Sequence, residues 1–325
     1  MKQTFSPPWW AKNPHIQTIL PLLTKVDRPA LRRERFELKD GDFIDLDWLN
    51  VPKEREVILI IIHGLEGSAE SHYVRRLLHD CGNHGLCALV HHHRSCSGES
   101  NRLARSYHSG DTQDLQENLQ HLKQRFPTSP LLAVGYSLGG NVLTKYLGEY
   151  GENSLLKRGA VISAPLKLSA CAKRLEKGFS KLYQSYLIKQ LQQKVTNKIK
   201  DDSLRDAMPV SLAQIRQLDT FYAFDHRVTA PLHGFTGADD YYQQASGIDY
   251  LSTICQPTLV LHAADDPFMT ADVIPAADKI SPHVTYELHD QGGHVGFING
   301  GNPLRPKYYL EQRILNFLLV LESEN

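Results

Sequence analysis

The chain contains 325 residues, 41% of them hydrophobic, and its 36 basic residues are balanced by 36 acidic ones. That length suits a large α/β domain that carries an insertion. The balanced charge gives no electrostatic reason to bind nucleic acid or an anionic membrane surface, so we expect no nucleic-acid partner and favour small or neutral ligands.

Cysteine usage and hydropathy bear on the compartment. The 5 cysteines are scattered, odd in number and include no Cys-x-x-Cys pair, which argues against a disulfide framework and favours a reducing compartment. The longest aliphatic run, Val57 to Ile62, is far shorter than the roughly 20 residues of a spanning helix, and the polar, proline-broken start is unlike a signal peptide. We expect a cytoplasmic protein without stable membrane insertion, in which Trp9 and Trp10 pack against their own domain.

The first part of the chain predicts an antiparallel start followed by alternating strands and helices. Asp40-Gly41 is a hairpin turn signal between Arg33–Lys39 and Phe43–Leu49. A fully apolar strand at Val57–Ile62 and another strand at Leu86–His91 then alternate with helices that end near Asp80 and Phe126. Such alternation predicts an α/β fold, with a mostly parallel sheet and helices on both faces.

The stretch from Pro130 to Leu147 predicts a strand, a sharp turn and a helix. Leu131 to Val134 are apolar, as a strand buried on both faces requires, and glycines stand two positions either side of Ser137. This Gly-x-Ser-x-Gly pattern is typical of a nucleophile elbow, in which the serine is held at positive φ. An ordinary glycine-rich turn or an anion site is the alternative, whereas the dinucleotide and Walker patterns are absent.

After a buried strand at Gly159–Ser163, the alternation stops until Pro257. We interpret residues 165–255 as a helical cap inserted into a core formed by residues 1–164 and 256–325, over the sheet edge where ligands of open α/β folds bind. Aromatic side chains of the cap are expected to line the substrate pocket, or else to attach the insertion to the core. The predicted cap helices are Leu166–Lys177, Phe179–Lys200 and Ser211–Leu218, and the expected lining residues are Phe179, Tyr183, Phe221 and Phe224.

Two further candidate residues follow the last predicted strands. Asp265 and Asp266 come after the strand Pro257–His262, and His294 comes after the strand Val284–His289. An acid followed by a histidine is the chain order in which α/β-hydrolases supply the partners of their serine. On this pattern either aspartate could orient the imidazole of His294, which would act as the base for Ser137. Helices are predicted at Asp272–Lys279 and Pro303–Leu321.

An oxyanion hole requires two backbone N–H groups aimed at the developing negative charge. Leu138 follows Ser137 directly and supplies one of them. The loop after Val57–Ile62 contains His63-Gly64-Leu65, which is similar to the His-Gly-x of lipases and esterases. We therefore expect the second N–H to be that of Leu65.

Together, several motifs resemble those of the YheT-like α/β-hydrolases, a group similar to eukaryotic α/β-hydrolase-domain esterases and yeast medium-chain ester synthases and hydrolases. The resemblance covers nearly the whole chain and implies a serine hydrolase of carboxylic esters without a cofactor. Its typical Gly-x-x-Asp frame, with an apolar residue two positions on, fits Asp266 and Phe268, so we favour Asp266 over Asp265. The motifs are Pro14-His15-Ile16-Gln17-Thr18, His63-Gly64-Leu65-Glu66-Gly67, Arg94-Ser95-Cys96-Ser97-Gly98-Glu99, Tyr107-His108-Ser109-Gly110-Asp111, Gly135-Tyr136-Ser137-Leu138-Gly139-Gly140-Asn141 and Gly292-Gly293-His294-Val295-Gly296-Phe297.

The sequence thus predicts an enzyme that cleaves short- to medium-chain carboxylic esters, with no metal. His91, His92 and His93 are consecutive, so on a strand they point to alternate faces and do not converge on one ion; their segment departs from the His-Phe-Arg-Gly expected from the family. The alternatives are an acyltransferase, an amidase or thioesterase, and a noncatalytic binding module on the same fold. The residues favour no particular oligomeric state.

Overall fold

A computed structural model of the chain describes residues 4–320. Eight of its strands form one sheet in the order β1-β2-β4-β3-β5-β6-β7-β8. The first two strands are antiparallel, and the remaining six run parallel to one another, which confirms the predicted α/β fold. The strands are β1 Arg32–Glu37, β2 Phe43–Leu49, β3 Ile58–Ile62, β4 Cys87–His91, β5 Leu131–Tyr136, β6 Leu156–Ile162, β7 Thr258–Ala263 and β8 Val284–His289.

Helices cover both faces of this sheet because the central strands are buried on both sides. The strand Ile58–Ile62 is entirely buried, as expected for a parallel strand between two helical layers. On one face the sheet packs against the helices His72–Asn83 and Leu310–Leu318, and on the other against Gln113–Arg125 and Leu138–Tyr150. The helices outside the insertion are α1 Pro14–Leu23, α2 His72–Asn83, α3 Gln113–Arg125, α4 Leu138–Tyr150 and α11 Leu310–Leu318.

The segment between β6 and β7, residues 165–255, contains helices and connecting loops but no strand, and is called the inserted segment below. Part of it packs around a hydrophobic cluster of its own that includes Ile188, Ile215 and Phe224. A π-helix at Asp225–Thr229 joins two of its short helices. The helices are α5 Leu168–Leu175, α6 Ser180–Lys200, α7 Leu212–Ile215, α8 Phe221–Phe224, α9 Ala230–Leu232 and α10 Ala238–Ala245.

Three expectations were wrong. The predicted helix at Asp272–Lys279 is replaced by two short 3₁₀ turns, Ala271–Val273 and Ala277–Lys279, since Pro275 between them lacks the N–H that a continuous helix needs there and its ring clashes with the preceding turn. The predicted terminal helix begins at Leu310 rather than Pro303, because β9 (Ile298–Asn302) and β10 (Arg305–Tyr308) form a hairpin before it. Its predicted end, Leu321, lies outside the described residues. Finally, Trp9 is 85% exposed instead of packed.

Among the described residues, none of the helices combines the length and the apolar character needed to cross a bilayer.

Candidate active site

Ser137 lies at the turn between β5 and α4. Its φ is +51°, a strained value for a residue with a side chain. The turn is tight because a Cβ on Gly135 would lie 2.3 Å from the carbonyl oxygen of Gly139, and a Cβ on Gly139 would lie 2.4 Å from that of Ile62. Only glycine fits at both positions, so the local sequence fixes Ser137 at the carboxyl end of the sheet.

The histidine and one aspartate predicted from the sequence meet this serine. Nε2 of His294 lies 2.9 Å from Oγ of Ser137, and Nδ1 of His294 lies 2.8 Å from Oδ2 of Asp266. Asp266 is 3% exposed, and its other oxygen accepts a hydrogen bond from the backbone N–H of Phe268 at 2.8 Å. A buried carboxylate, an imidazole and a hydroxyl are thereby connected in one line, which is the geometry needed to move a proton from the hydroxyl to the ring.

Asp265 has a different contact. Its Oδ1 accepts a hydrogen bond from the backbone N–H of Gly293 at 2.9 Å, so it supports the loop that carries His294 rather than the imidazole. Burial raises the pKa of the Asp265 carboxyl. The two adjacent aspartates therefore have different partners: Asp266 contacts the imidazole of His294, and Asp265 contacts the backbone of the loop. The local sequence alone did not distinguish between them.

Phe268 covers one face of the imidazole, and a second aromatic ring packs behind it. Phe268 stacks on His294 with ring centroids 4.1 Å apart and an interplanar angle of 16°. Tyr183, from α6, stacks in turn on Phe268 at 4.9 Å. In the sequence analysis Phe268 served only as the apolar residue expected two positions after the aspartate. The stacking of Phe268 on His294 was not predicted, and that expected apolar position was the one feature of the sequence that could have indicated it.

Leu65 and Leu138, the two residues expected to form the oxyanion hole, line the same space as Ser137. Leu138 is the first residue of α4. The loop that carries Leu65 touches the elbow, since a Cβ on Gly64 would lie 3.2 Å from Cβ of Ser137. Within residues 4–320, neither backbone N–H donates a hydrogen bond to another protein group, a condition that the two donors of an oxyanion hole must meet.

Three spaces lie at or near Ser137. An outer groove of about 800 Å³ opens beside Ser137 and His294 and is lined by polar, charged and apolar side chains. An inner chamber of about 90 Å³ extends from the same two residues between the sheet and the inserted segment. A deep chamber, also of about 90 Å³, adjoins it and shares Leu65, Leu138 and Phe221. Apolar residues of the inserted segment dominate the two chambers, including Leu168, Cys171, Leu175, Leu191, Val195, Met208 and Phe224.

The four aromatic residues expected to line the pocket do not behave alike. Phe221 borders both chambers, Phe224 borders the deep chamber and Tyr183 borders the outer groove. Phe179 instead lies against the ring of His15 at 4.4 Å and is 47% exposed. It lines none of these three spaces.

The three consecutive histidines have separate buried partners. Nδ1 of His91 lies 3.1 Å from Nδ2 of Asn118, and Nε2 of His92 lies 2.9 Å from Oδ2 of Asp47. Burial lowers the pKa of His91 to about 3 and that of His93 to about 4, so both rings are neutral at physiological pH. Over residues 4–320, no group of three or more His, Cys, Asp or Glu side chains could hold a metal ion. Ser95, which stands where the family's glycine is expected, has φ +63°.

Comparison with known proteins agrees with this architecture. The model of a family described as "alpha/beta hydrolase fold" matches residues 57–301. The chain is 42% identical over 309 residues to YheT of Escherichia coli (strain K12), whose name carries only a provisional esterase assignment, and the match spans 94% of this chain and 90% of YheT. It is 29% identical to human phospholipase ABHD3 over 94% of this chain and 76% of that protein. A yeast protein named medium-chain fatty acid ethyl ester synthase/esterase 2 is 30% identical over 84% of this chain and 64% of its own length.

Solved structures give the same fold at low identity. The Pyrococcus furiosus esterase Pf2001 superposes with a TM-score of 0.53 at 14% identity, covering 90% of this chain and 91% of that one. An acylaminoacyl peptidase of Pyrococcus horikoshii gives a TM-score of 0.52 at 16% identity, covering 95% of this chain and 44% of the peptidase. At such identities the likeness concerns the arrangement of strands and helices.

Proposed function

Because the chain belongs to the α/β-hydrolase family, we propose that it is a serine hydrolase of carboxylic esters in which Ser137, His294 and Asp266 form the catalytic triad. The observation that carries the proposal is the line of two contacts from Ser137 Oγ through the His294 ring to Asp266, at 2.9 and 2.8 Å. The names of the bacterial and yeast relatives support the same reaction class.

In the first half of the reaction Ser137 Oγ attacks the ester carbonyl while its proton passes to Nε2 of His294. The Nδ1–H of His294 donates to Asp266, which fixes the reactive tautomer and stabilises the imidazolium that forms. Negative charge collects on the former carbonyl oxygen, and the N–H groups of Leu65 and Leu138 stabilise it. His294 then protonates the departing alcohol, which leaves an acyl group on Ser137.

In the second half, His294 takes a proton from water, and the resulting hydroxide equivalent attacks the acyl-enzyme. The carbonyl oxygen again accepts hydrogen bonds from the backbone N–H groups of Leu65 and Leu138. Collapse of this second intermediate returns the proton from His294 to Ser137 Oγ and releases the carboxylic acid. No cofactor takes part in either half.

The two sides of Ser137 suit the two parts of an ester. The apolar inner chamber can take an acyl chain, and its limited volume favours short to medium lengths. The outer groove is larger and carries charged side chains such as Arg28 and Arg75, so it can take the alcohol part. Residues 165–255 act as the cap that encloses the acyl side of the substrate.

Acyl transfer to an alcohol is a second candidate because the yeast relative's name combines synthase and esterase activities. The same triad serves both reactions, and they differ only in whether water or an alcohol attacks the acyl-enzyme. The open outer groove gives an alcohol access to that intermediate.

We further propose a cytoplasmic location and small-molecule ester substrates. All 5 cysteines are free thiols, a pattern that suits a reducing compartment. The balanced charge gives no electrostatic reason to expect a nucleic-acid partner.

A panel of nitrophenyl esters from acetate to palmitate tests the proposal, with Ser137→Ala as the control for background hydrolysis. We expect the wild type to favour the short and medium chains and the variant to be inactive on all of them. Adding ethanol and analysing the products separates hydrolysis, which gives the acid, from transfer, which gives the ethyl ester. Equal turnover by the wild type and the variant would contradict the proposal.

A further inference from the structure

Helix α1 contains the motif Pro14-His15-Ile16-Gln17-Thr18, to which the proposed mechanism gives no role. Two of its polar side chains are buried, Gln17 at 0% exposure and Thr18 at 7%. Buried polar groups require hydrogen-bond partners. Both side chains find them in the loop 292–298, which carries His294.

Thr18 contacts the backbone of His294 itself. The N–H of His294 donates to Oγ1 of Thr18 at 3.0 Å, and this hydroxyl donates to the carbonyl oxygen of Pro14 at 2.7 Å. Because its proton is committed to the preceding turn of the helix, the hydroxyl is oriented as an acceptor for His294. The backbone from which the imidazole projects is thereby fixed to α1.

Gln17 holds the other end of the loop. Its Oε1 accepts from the backbone N–H of Ile298 at 2.6 Å, and its Nε2 donates to the carbonyl oxygens of Ile298 and Ala11 at 3.3 and 2.8 Å. One buried amide therefore makes three hydrogen bonds that join the segment before α1 to the end of the His294 loop.

The loop between these two anchors is strained and closely packed on α1. Val295 and Phe297 have φ of +57° and +47°, values that persist only where the surroundings enforce them. A Cβ on Gly293 would lie 2.6 Å from the carbonyl oxygen of Pro14, and one on Gly296 would lie 2.1 Å from that of Gln17. Helix and loop are thus in backbone contact, with α1 as the template for the loop.

We propose that Thr18 and Gln17 are positioning residues for His294, which hold its ring at hydrogen-bonding distance from both Ser137 and Asp266. The inference rests on the proposed function of the triad. Neither side chain contacts the reacting atoms, so each acts through the loop. A displacement of the imidazole by about 1 Å is enough to cost on the order of 100-fold in rate.

Thr18→Val and Gln17→Leu remove the hydrogen bonds with little change in volume, while Thr18→Ser keeps the hydroxyl. We expect kcat to fall roughly 10- to 100-fold in Thr18→Val and Gln17→Leu, and to recover in Thr18→Ser. Gln17 does not line the outer groove, so its KM should stay within about twofold if it only positions the histidine. The rate of Ser137 labelling by a fluorophosphonate should fall in parallel with kcat, because it too depends on His294 as base.

Thr144→Val is the matched control. Its buried hydroxyl makes the same kind of bond, to the carbonyl oxygen of Gly140 at 2.8 Å, within α4, and it has no contact with the His294 loop. The inference is overturned if Thr18→Val and Gln17→Leu, measured per folded molecule, lose no more activity and labelling than Thr144→Val. Failure of the triad itself is separately visible as turnover or labelling that persists in Ser137→Ala.

Discussion

The Nζ atom of Lys194, in helix α6 of the inserted segment, lies 2.9 Å from Oε2 of Glu66, the residue that follows Leu65. The Glu66 carboxylate also accepts from the hydroxyl of Tyr107 at 2.7 Å, and the backbone N–H of Glu66 donates to that hydroxyl at 2.9 Å. The loop that carries one proposed oxyanion N–H is therefore held by both the core and the insertion. Through the ion pair between Lys194 and Glu66, the inserted segment supports the loop of a proposed oxyanion donor in addition to lining the chambers beside Ser137.

Replacing Lys194 with Met should lower both stability and kcat. The Glu66 side chain is only 4% exposed, and a buried carboxylate that loses its cation lowers the free energy of unfolding by up to about 3 kcal/mol. Movement of the Leu65 loop would also weaken oxyanion stabilisation. Urea unfolding and ester kinetics measure the two effects. The control is Arg32→Gln, whose surface pair with Glu34 at 3.6 Å should matter by less than about 1 kcal/mol; a Lys194 variant that matches this control would rule out the coupling.

The paired aspartates should differ sharply when each is changed to Asn. Asp266→Asn presents an amide N–H to His294 and favours the wrong tautomer, so kcat should fall by about 10⁴ with little change in KM. Asp265→Asn keeps an oxygen that can accept from Gly293, and its loss should be mild. Steady-state kinetics of both variants decides the matter, and exchanged behaviours would assign the roles the other way round.

Phe221 should determine acyl-chain preference, whereas Phe179 should not. Phe221→Ala enlarges both chambers, so activity should shift towards longer esters by about 1 to 3 kcal/mol in relative kcat/KM. Phe179→Ala is the matched control, because this exposed ring lies against His15 and outside the chambers. The ester panel and the melting temperature are measured on both. A uniform loss on every ester that follows the melting temperature would remove Phe221 from the specificity argument.

Asp225 should make stability decrease between about pH 4 and pH 6. Although the residue as a whole is only half-buried, its carboxyl is enclosed, and burial raises its pKa to about 6, against about 3.9 in an unfolded chain. Within that window the folded protein holds a proton that the unfolded chain has released. The associated stabilisation, up to about 3 kcal/mol, is present below pH 4 and is lost as the pH rises through 6.

Asp225→Asn removes this titration. Relative to the wild type, the variant should therefore gain stability at pH 8 compared with pH 4, as measured by urea unfolding across that range. Asp206→Asn, which alters an exposed carboxylate without a hydrogen-bonded partner among the described residues, serves as the control and should follow the wild type. Parallel curves for all three proteins would contradict the assignment.

Short sequence patterns correctly predicted those parts of the fold that are determined by residues close together in the chain. The aliphatic strand at Ile58–Ile62 and the glycines around Ser137 can be recognised from the sequence, because the burial of that strand and the steric constraint at that turn are each determined by a few neighbouring residues. Helical periodicity failed at Asp272–Lys279, where the single residue Pro275 outweighs it. The hairpin before Leu310 was also missed, because the apolar spacing of the residues after it led to a predicted helix that begins too early in the chain.

Contacts distant in sequence could not be predicted in the same way. The bond from His294 to Thr18 spans 276 positions, and no pattern around either residue specifies it. Lys194 and Glu66 are likewise 128 positions apart in the sequence. The sequence identified the chemical groups of the site, whereas the residues that hold those groups in place required the fold.

The most direct test of the account is covalent labelling of Ser137. A fluorophosphonate should react with the wild-type protein at a single site, located at Ser137 by peptide mass spectrometry, and ester turnover should disappear as labelling proceeds. Ser137→Ala should show neither labelling nor turnover, with kcat reduced by about 10⁶. Label on another residue, or ester hydrolysis that survives in a folded Ser137→Ala protein, would contradict the proposal that Ser137 is the nucleophile.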